Sequence, residues 1–378
     1  MADVLVIGAG LAGSLVALAL AERGATVELL DPCTGSGATG FSYGGVPWWA
    51  GAPGPMNQLM ASAPAAWKRL ESRHGPLGWR PCSLRLYWSQ DDGASSVDRA
   101  LAQVDTLVRR HLAADQVERL GASPVSGVAG ALRVDYGRVD GHALALALPV
   151  ALQRAGVHWR RERCAPLRPG ALPAGQVVLA AGSGCRALWP GLADRLRVSW
   201  AGVLLLEDPR LTRELLGACS LMPANDILMP LLAERMALEQ RAEQLRQPAW
   251  IIDAGLAPWG EGLLLGQSSL IRPGTACGAP PEAAPLEQRL RRSLGRVDPR
   301  LAKVPACFQQ VPVSFTGRGP PLVGPVPEVA GLWVFAGLSS PFALAPPLAE
   351  LLADALGGDP RAVVRLPGAS DDAGSNWG

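Results

Sequence analysis

Short apolar runs separated by glycine and by charged residues open the chain. Val4 to Ile7 is an unbroken apolar run between Asp3 and Gly8, the pattern of a buried strand. Leu11 to Arg23 is apolar along most of its length, and Gly24 stands where a helix stops. Val27 to Leu30 repeats the strand signal and ends at Asp31-Pro32. Strand, helix and strand at this spacing predict a parallel pair joined by a crossover.

Past residue 55 the rhythm changes. A helix is predicted over Met56 to Ser72, a strand over "SLRLYWS", and a charged helix near 98–120. The segment "RVDGHALALALPVALQRAGVHWRRER" (138–163) predicts a long amphipathic helix and then a strand, and "QVVLAAGSG" (176–184) a short strand ending in a glycine turn. "AGVLLLE" (201–207) starts a further strand region. The charge-rich segment 231–247 predicts a helix, most simply a solvated face, with an oligomer contact or a lid as alternatives. "WIIDAG" and "GLLLGQS" predict two strands of an antiparallel sheet. "GLWVFAG" (331–337) predicts a strand, and "APPLAELLADAL" (345–356) a helix with proline near its start. The tail from Pro367 onward is rich in Gly, Ser and Asp and is expected to fray. Parallel-sheet signals cluster at 1–50, 140–200 and 320–360, with antiparallel signals between them. The expected fold class is α/β: a discontinuous Rossmann-like domain with a second, mostly antiparallel α+β domain threaded into it.

Composition narrows the class. A chain of 378 residues with 48% hydrophobic and 18% charged residues has material for a large core, in two domains or one with an insertion. A net charge of +2 removes the electrostatic case for nucleic acid. The seven cysteines are scattered and never spaced as CxxC, and the four histidines are isolated. No metal site or disulfide framework is predicted, and a reducing, cytoplasmic location is expected. The apolar N-terminus imitates a signal peptide, but Asp3 sits where a basic region belongs and regularly spaced glycines interrupt the run. No other segment reaches the roughly 18 uninterrupted apolar residues that a transmembrane span needs.

The first chemistry-bearing motif is "GAGLAG", with Gly8, Gly10 and Gly13 as GxGxxG. Gly8 permits the tight turn out of the strand. Gly10 lets the backbone approach a pyrophosphate at the positive N-terminus of the Leu11 helix, and Gly13 lets that helix pack close. Asp31 ends the next strand, where a carboxylate accepts from ribose hydroxyls. The competing reading is a glycine-rich turn without a ligand. A second stretch, "GATGFSYGGVPWWAG" (37–51), packs four aromatic residues among five glycines. Tyr43, Trp48 and Trp49 either wall a substrate channel or cement an interface between the two domains.

Over nearly its whole length the chain resembles the D-amino-acid oxidase/glycine oxidase family of FAD-dependent oxidoreductases. The resemblance is carried by "VLVIGAGLAGSLVALALAERGATVELLD", by "GATGFSYGGV", by "GRVDGHALALALPVALQRAGVHWR" followed by "VVLAAGSG", and by "GPPLVGPVPEVAGLWVFAGLSS". It implies FAD and a discontinuous FAD-binding domain of the glutathione-reductase type (1–50, 131–200 and 316–378). It also implies a substrate domain (51–130 and 201–315) whose sheet covers the flavin ring. It places Gly8, Ala9, Gly10, Leu11, Ala12 and Gly13 at the pyrophosphate, and Asp31-Pro32 at the adenosine ribose. Ala38 and Thr39 fall near the phosphates, Gly44, Gly45 and Val46 near the flavin ring, and Ala181 and Gly182 under the dinucleotide. Gly337, Leu338, Ser339 and Ser340 approach the pyrimidine side of the flavin. There, backbone N–H groups ahead of the Ala345 helix would face charge on the reduced ring. No histidine precedes His74, and the late cysteine of the sarcosine-oxidase type aligns with Val311, so FAD is expected to be non-covalent.

The substrate half departs from the family pattern. Relatives carry a carboxylate-binding arginine three residues before the threonine that aligns with Thr316, and here that position is Val313. Valine has no substitute for a bidentate guanidinium. If 309–315 is a strand, Gln309, Val311, Val313 and Phe315 share one face. Either another arginine (Arg80, Arg85 or, first, Arg272) supplies the anchor, or the substrate is not a simple amino acid. Tyr87 is a further candidate at the substrate sheet, with Tyr43, Trp48, Val313 and Phe315 as pocket walls. The expected activity is oxidation of an amine or amino-acid-like small molecule by hydride transfer to FAD, with oxygen or another acceptor reoxidising the flavin. A dehydrogenase of a hydroxy acid or secondary amine, or a flavin-binding accessory protein with weakened chemistry, are the alternatives, and a homo-oligomer is possible.

Overall fold

The computed structural model describes residues 2–32, 37–121, 127–218 and 225–367. Cys33, Cys219 and the tail beyond Pro367 lie outside the described residues. Two sheets organise the chain. In the first, Val4–Ile7 sits at the centre, parallel to Val27–Leu30 on one side and Gln176–Leu179 on the other. His158–Arg160 and Leu332–Ala336 extend the two sides in parallel, and Leu322–Pro325 closes one edge antiparallel.

Strand periodicity explains why these runs are apolar without a break. Val4 and Val6 pack with the helices Leu11–Glu22, Gly141–Arg154 and Pro341–Leu356. Leu5 and Ile7 point the other way, onto Cys185, Trp189 and Leu192. Both faces are covered, so every position is core.

The last long helix begins at Pro341, not at Ala345 as the pattern suggested. Pro346 and Pro347 therefore lie inside it instead of marking its start. A proline has no N–H for the carbonyl one turn back. The indole Nε1 of fully buried Trp67, on the helix Pro55–His74, donates to Phe342 O at 2.7 Å and replaces the bond that Pro346 cannot make.

The second sheet has nine strands. Its order is Cys307–Thr316, Leu196–Leu206, Gly262–Ile271, Ala249–Trp259, Ile227–Pro230, Trp79–Ser89, Val128–Val139 and Gly45–Val46, with Val117–Leu120 also paired to Val128–Val139. Neighbours run antiparallel, except that Ile227–Pro230 is parallel to Trp79–Ser89. One face is covered by the helix Ala283–Val297, which the sequence reading did not anticipate. Its Leu290, Leu294 and Val297 form the apolar stripe that meets Leu204, Leu206, Leu263 and Leu265.

Two expected helices come out shorter, and the helix-then-strand expected over 138–163 is found as Gly141–Arg154 and His158–Arg160. The segment near 98–120 divides into the helix Ala94–Val108, a 3-10 turn at Ala114–Gln116 and the strand Val117–Leu120. Pairing with the long Val128–Val139 strand overrides the local preference there. The helix within 138–163 is confined to Gly141–Arg154, because Asp140 caps it through His142 N and Ala143 N at 3.0 and 3.1 Å. The helix within 231–247 runs only from Arg235 to Gln240. Met236 faces outward, but Leu238 and Ala242 pack against Ile251, Ile271 and Phe315 of the second sheet, so one side of this segment is core.

Candidate active site

The turn after the first strand is built by steric necessity. Gly8 has φ 108°, and a Cβ there would lie 2.5 Å from Ala180 O. A Cβ at Gly13 would stand 1.7 Å from Gly8 O, so the Leu11–Glu22 helix rests directly on the turn. Around Gly10 the space is open: a Cβ would meet only Thr39 Oγ1, at 3.7 Å. Gly10 is the helix N-cap and has no capping side chain of its own. Thr39 supplies one from the 3-10 turn Ala38–Phe41, accepting from Leu11 N at 3.1 Å. Asp31 Oδ2 accepts from Ala9 N at 2.7 Å, which aims the carboxylate at the same turn. The arrangement offers an open concavity, helix-start amides and a carboxylate at its edge, which suits a pyrophosphate and a ribose. Pro32 follows Asp31, and Ala12 lies one step inside the helix.

Other residues singled out in the sequence also sit at tight turns. The turn at Ala181 and Gly182 follows directly on the central strand Gln176–Leu179, with Gly182 at φ 55° and unobstructed. Gly44 has φ 68°, and a Cβ there would fall 1.7 Å from Val139 O. Gly45 and Val46 pair with Arg138 and Gly137, which joins this loop to the second sheet. Gly337, at φ 76°, accepts from Thr316 Oγ1 at 3.3 Å, so it touches the end of the Cys307–Thr316 strand. Leu338 is half-buried and Ser339 exposed, and Ser340 precedes the helix that starts at Pro341. The donors offered here are those at Pro341, where the first residue lacks an N–H, and not those at Ala345.

A cluster at the Gly141 helix start fixes one sheet against the other. Trp259 Nε1 donates to Gly40 O at 2.7 Å, and its ring lies 4.5 Å from the His142 ring. Gly260 N donates to Asp140 Oδ2 at 3.0 Å, and Arg138 lies 3.6 Å from the same carboxylate. A hairpin turn of the second sheet is thereby held on the loop that carries Ala38 and Thr39.

On the second sheet, register decides what faces what. Val313 pairs with Ser199 and Val311 with Ala201, which pairs in turn with Ser269 and then Ile251. Residues so paired share a face. Phe315 lies on it at the end covered by Leu238 and Ala242. At the other end the phenol of Tyr43 stands over Gly255, Gly266 and Val203: a Cβ on Gly255 or Gly266 would be 3.0 or 3.2 Å from the hydroxyl. The Cys307–Thr316 strand also touches the 38–41 and 182–184 turns. The strand that carries Val313 therefore borders the dinucleotide turn.

The candidate arginines lie elsewhere engaged. Arg272 Nη1 donates to Cys277 O and Ala279 O at 3.2 and 2.7 Å. Arg85 pairs with Asp226 at 3.1 Å, and Arg80 is exposed. Tyr87 donates to Ala254 O at 2.7 Å within the opposite, helix-covered face. Burial pushes its phenol well above the ordinary value, so it stays protonated. Trp48 stands edge-on to His111 at 6.0 Å, and Trp49 donates to Asp135 O at 2.8 Å. Among the residues that sequence reasoning passed over on the Val313 face are Asp253, Ser269 and Ser199. The available signal was a single acid inside the apolar run "WIIDAG" and a serine pair closing "GLLLGQSS".

A two-sheet α/β molecule with a glycine turn, a helix start and an acid at the second strand defines the class of dinucleotide-binding proteins. The chain belongs to the FAD-dependent oxidoreductase (D-amino-acid oxidase type) family, whose model matches residues 3–355. Among curated proteins no sequence matches significantly. The chain is similar in structure to glycine oxidase from Geobacillus kaustophilus (TM-score 0.74, 20% identity, 98% of each chain covered). It is also similar to iminodiacetate oxidase from a Chelativorans species (TM-score 0.71, 20% identity, 94% and 96% covered). A third similar structure is the FAD-bound L-alpha-glycerophosphate oxidase from Mycoplasma pneumoniae (TM-score 0.68, 11% identity, 94% of each chain covered). The protein is thus an FAD-dependent oxidoreductase of that family. Among the described residues no helix is long and apolar enough to cross a membrane.

Proposed function

We propose that this protein oxidises the carbon–nitrogen bond of an amine that its β-sheet wall does not grip by a carboxylate. FAD, when bound, accepts the hydride from the substrate carbon. Gly8 to Gly13 and Thr39 would hold its pyrophosphate, Asp31 the adenosine ribose, and Ala181 and Gly182 the dinucleotide from below. Gly44, Gly45 and Gly337 to Ser340 would border the flavin ring. The open space over Gly10 and the close packing at Gly8 and Gly13 support that placement.

The observation that carries the substrate reading is the wall itself. Val311 and Val313 lie on the strand that borders the dinucleotide turn and share one face, in register with Ala201 and Ser199. A valine at 313 leaves a carboxylate without a bidentate partner there. The side chain of Arg272 bends back onto its own loop. The task left to the protein is to orient the carbon–nitrogen bond and to keep water away from it.

The test is anaerobic mixing of the purified, FAD-loaded protein with amines, amino acids and hydroxy acids, read by loss of flavin absorbance. Reduction by amines in preference to amino acids is the expected result. Reduction by hydroxy acids alone would move the assignment to alcohol oxidation. Reduction by none of these donors would leave a flavin-binding accessory protein. Oxygen or another acceptor would reoxidise the flavin, distinguished by repeating the assay in air.

A further inference from the structure

Among the buried polar groups on the face that carries Val313 are Asp253, Ser269 and, from a loop, Tyr43. Ile251, Asp253 and Gly255 alternate onto it from the strand Ala249–Trp259, while Ile252 and Ala254 turn to the helix-covered side. Gly266 and Ser269 reach it from the neighbouring strand, on either side of the register shift at Gln267. A bulge of this kind re-aims side chains, and here it brings Asp253 diagonally beside Gly266 and Ser269.

Each of the three has unused hydrogen-bonding capacity. The Ser269 side chain is fully buried, and its hydroxyl has no hydrogen-bond partner. Tyr43 is 9% exposed; the Gly266 N–H approaches its oxygen outside hydrogen-bond geometry, and the hydroxyl is unpartnered. Asp253, 4% exposed, accepts from Glu234 N and Arg235 N at 2.9 and 3.1 Å. Two amides occupy about half of the roughly four acceptor sites of a carboxylate. Arg235 is committed to Glu239 at 2.7 Å, and among the described residues no basic side chain lies within ion-pair distance of Asp253. Burial raises the Asp253 carboxyl above its ordinary value, and the two amide hydrogen bonds and the neighbouring Arg235 charge offset this only in part. Buried polar groups of this sort are costly unless something occupies them.

We infer that Asp253, Tyr43 and Ser269 form the recognition site for the ammonium group of an amine substrate. The Asp253 carboxylate supplies the counter-charge, and the two hydroxyl oxygens accept the remaining N–H donors. Selectivity then lies in the nitrogen end of the substrate and not in a carboxylate. This rests on the amine reading above and adds the residues that enforce it.

The experiment is titration of the FAD-loaded protein, its flavin first reduced with dithionite under nitrogen, with n-butylammonium and with neutral n-butanol, read as perturbation of the reduced-flavin absorbance, so that binding is seen with no oxidised flavin left to turn over. Butylammonium should bind and butanol should not. Hydrogen bonds to charged groups are worth enough that Tyr43→Phe and Ser269→Ala should each weaken butylammonium binding roughly tenfold. Asp253→Asn should weaken it more. Since the two hydroxyls have no partner in the fold, their removal should leave the melting temperature unchanged or raised, which separates recognition from a structural role. If Asp253→Asn fails to fold for loss of its helix cap, the hydroxyl variants decide. Equal binding of the alcohol, or unweakened binding in both hydroxyl variants, overturns the inference. Amines that reduce the flavin in variants with unchanged affinity would sink this inference alone. Butylammonium that binds through these residues without any amine reducing the flavin would sink the amine-oxidation reading alone.

Discussion

The dinucleotide turn and the substrate face meet within one molecule but are specified in different ways. At the turn the requirement is backbone space. Gly8, Gly13 and Gly44 each stand where a Cβ would overlap a carbonyl oxygen of a neighbouring segment. At the proposed substrate face, where the sheet carries a register shift at Gln267, what matters is which side chain the register presents: Val313, Val311, Ser269, Asp253 and, from a loop, Tyr43. The first region tolerates almost no substitution.

The largest effect should come from Gly13→Ala. Its Cβ would lie 1.7 Å from a backbone oxygen that has nowhere to go. Overpacking of this severity should cost about 3 kcal/mol or more, and the purified protein should lack the flavin colour. A yellow, stable Gly13→Ala protein would show that the turn is softer than its geometry implies.

Trp67→Phe should follow, costing roughly 1–3 kcal/mol by thermal unfolding. It leaves the Phe342 carbonyl buried without a donor, at a helix that Pro346 has already deprived of one. Thr39→Val removes the cap on Leu11 N and should cost about 1 kcal/mol, seen first as faster FAD loss on dilution. Val313→Arg probes the substrate face. It should leave stability within about 1–3 kcal/mol while improving the apparent affinity for small amino acids roughly tenfold, measured as flavin reduction against concentration. An unchanged preference would show that the wall does not choose the substrate.

The smallest effect should come from a site remote from both regions. The Arg300 hydrogen bonds hold the Asp298 carboxyl below its ordinary value at the end of the helix Ala283–Val297. A depressed carboxyl stabilises the fold above the ordinary aspartate value of about 4 and loses that contribution as the pH falls through its folded value. Asp298→Asn should therefore flatten the acid limb of a stability–pH profile and leave flavin reduction unaltered.

The two regions were also unequally legible. Gly8, Gly10, Gly13 and Asp31 could be read from spacing, since strand, turn and helix start are local and glycine is demanded by geometry within a few residues. The helix starting at Pro341 was misplaced because two prolines inside a helix contradict local rules. Only Trp67, far away in the chain, supplies the missing donor. Val117–Leu120 became a strand because a long partner was available to pair with it. Arg272 and Tyr87 were plausible from residue type, yet the fold turns one onto carbonyls of its own loop and the other onto Ala254 in the opposite face.

By itself, then, the sequence determined the parallel core, the glycine turn and the absence of an arginine at position 313, because these depend on composition and short-range sterics. Only the tertiary structure decided which polar groups share the substrate face. Asp253, Ser269 and Tyr43 come from segments far apart in the chain. Their meeting depends on strand order, on a register shift at Gln267 and on the approach of a loop from the other sheet. Those are long-range pairings, and no local pattern encodes them.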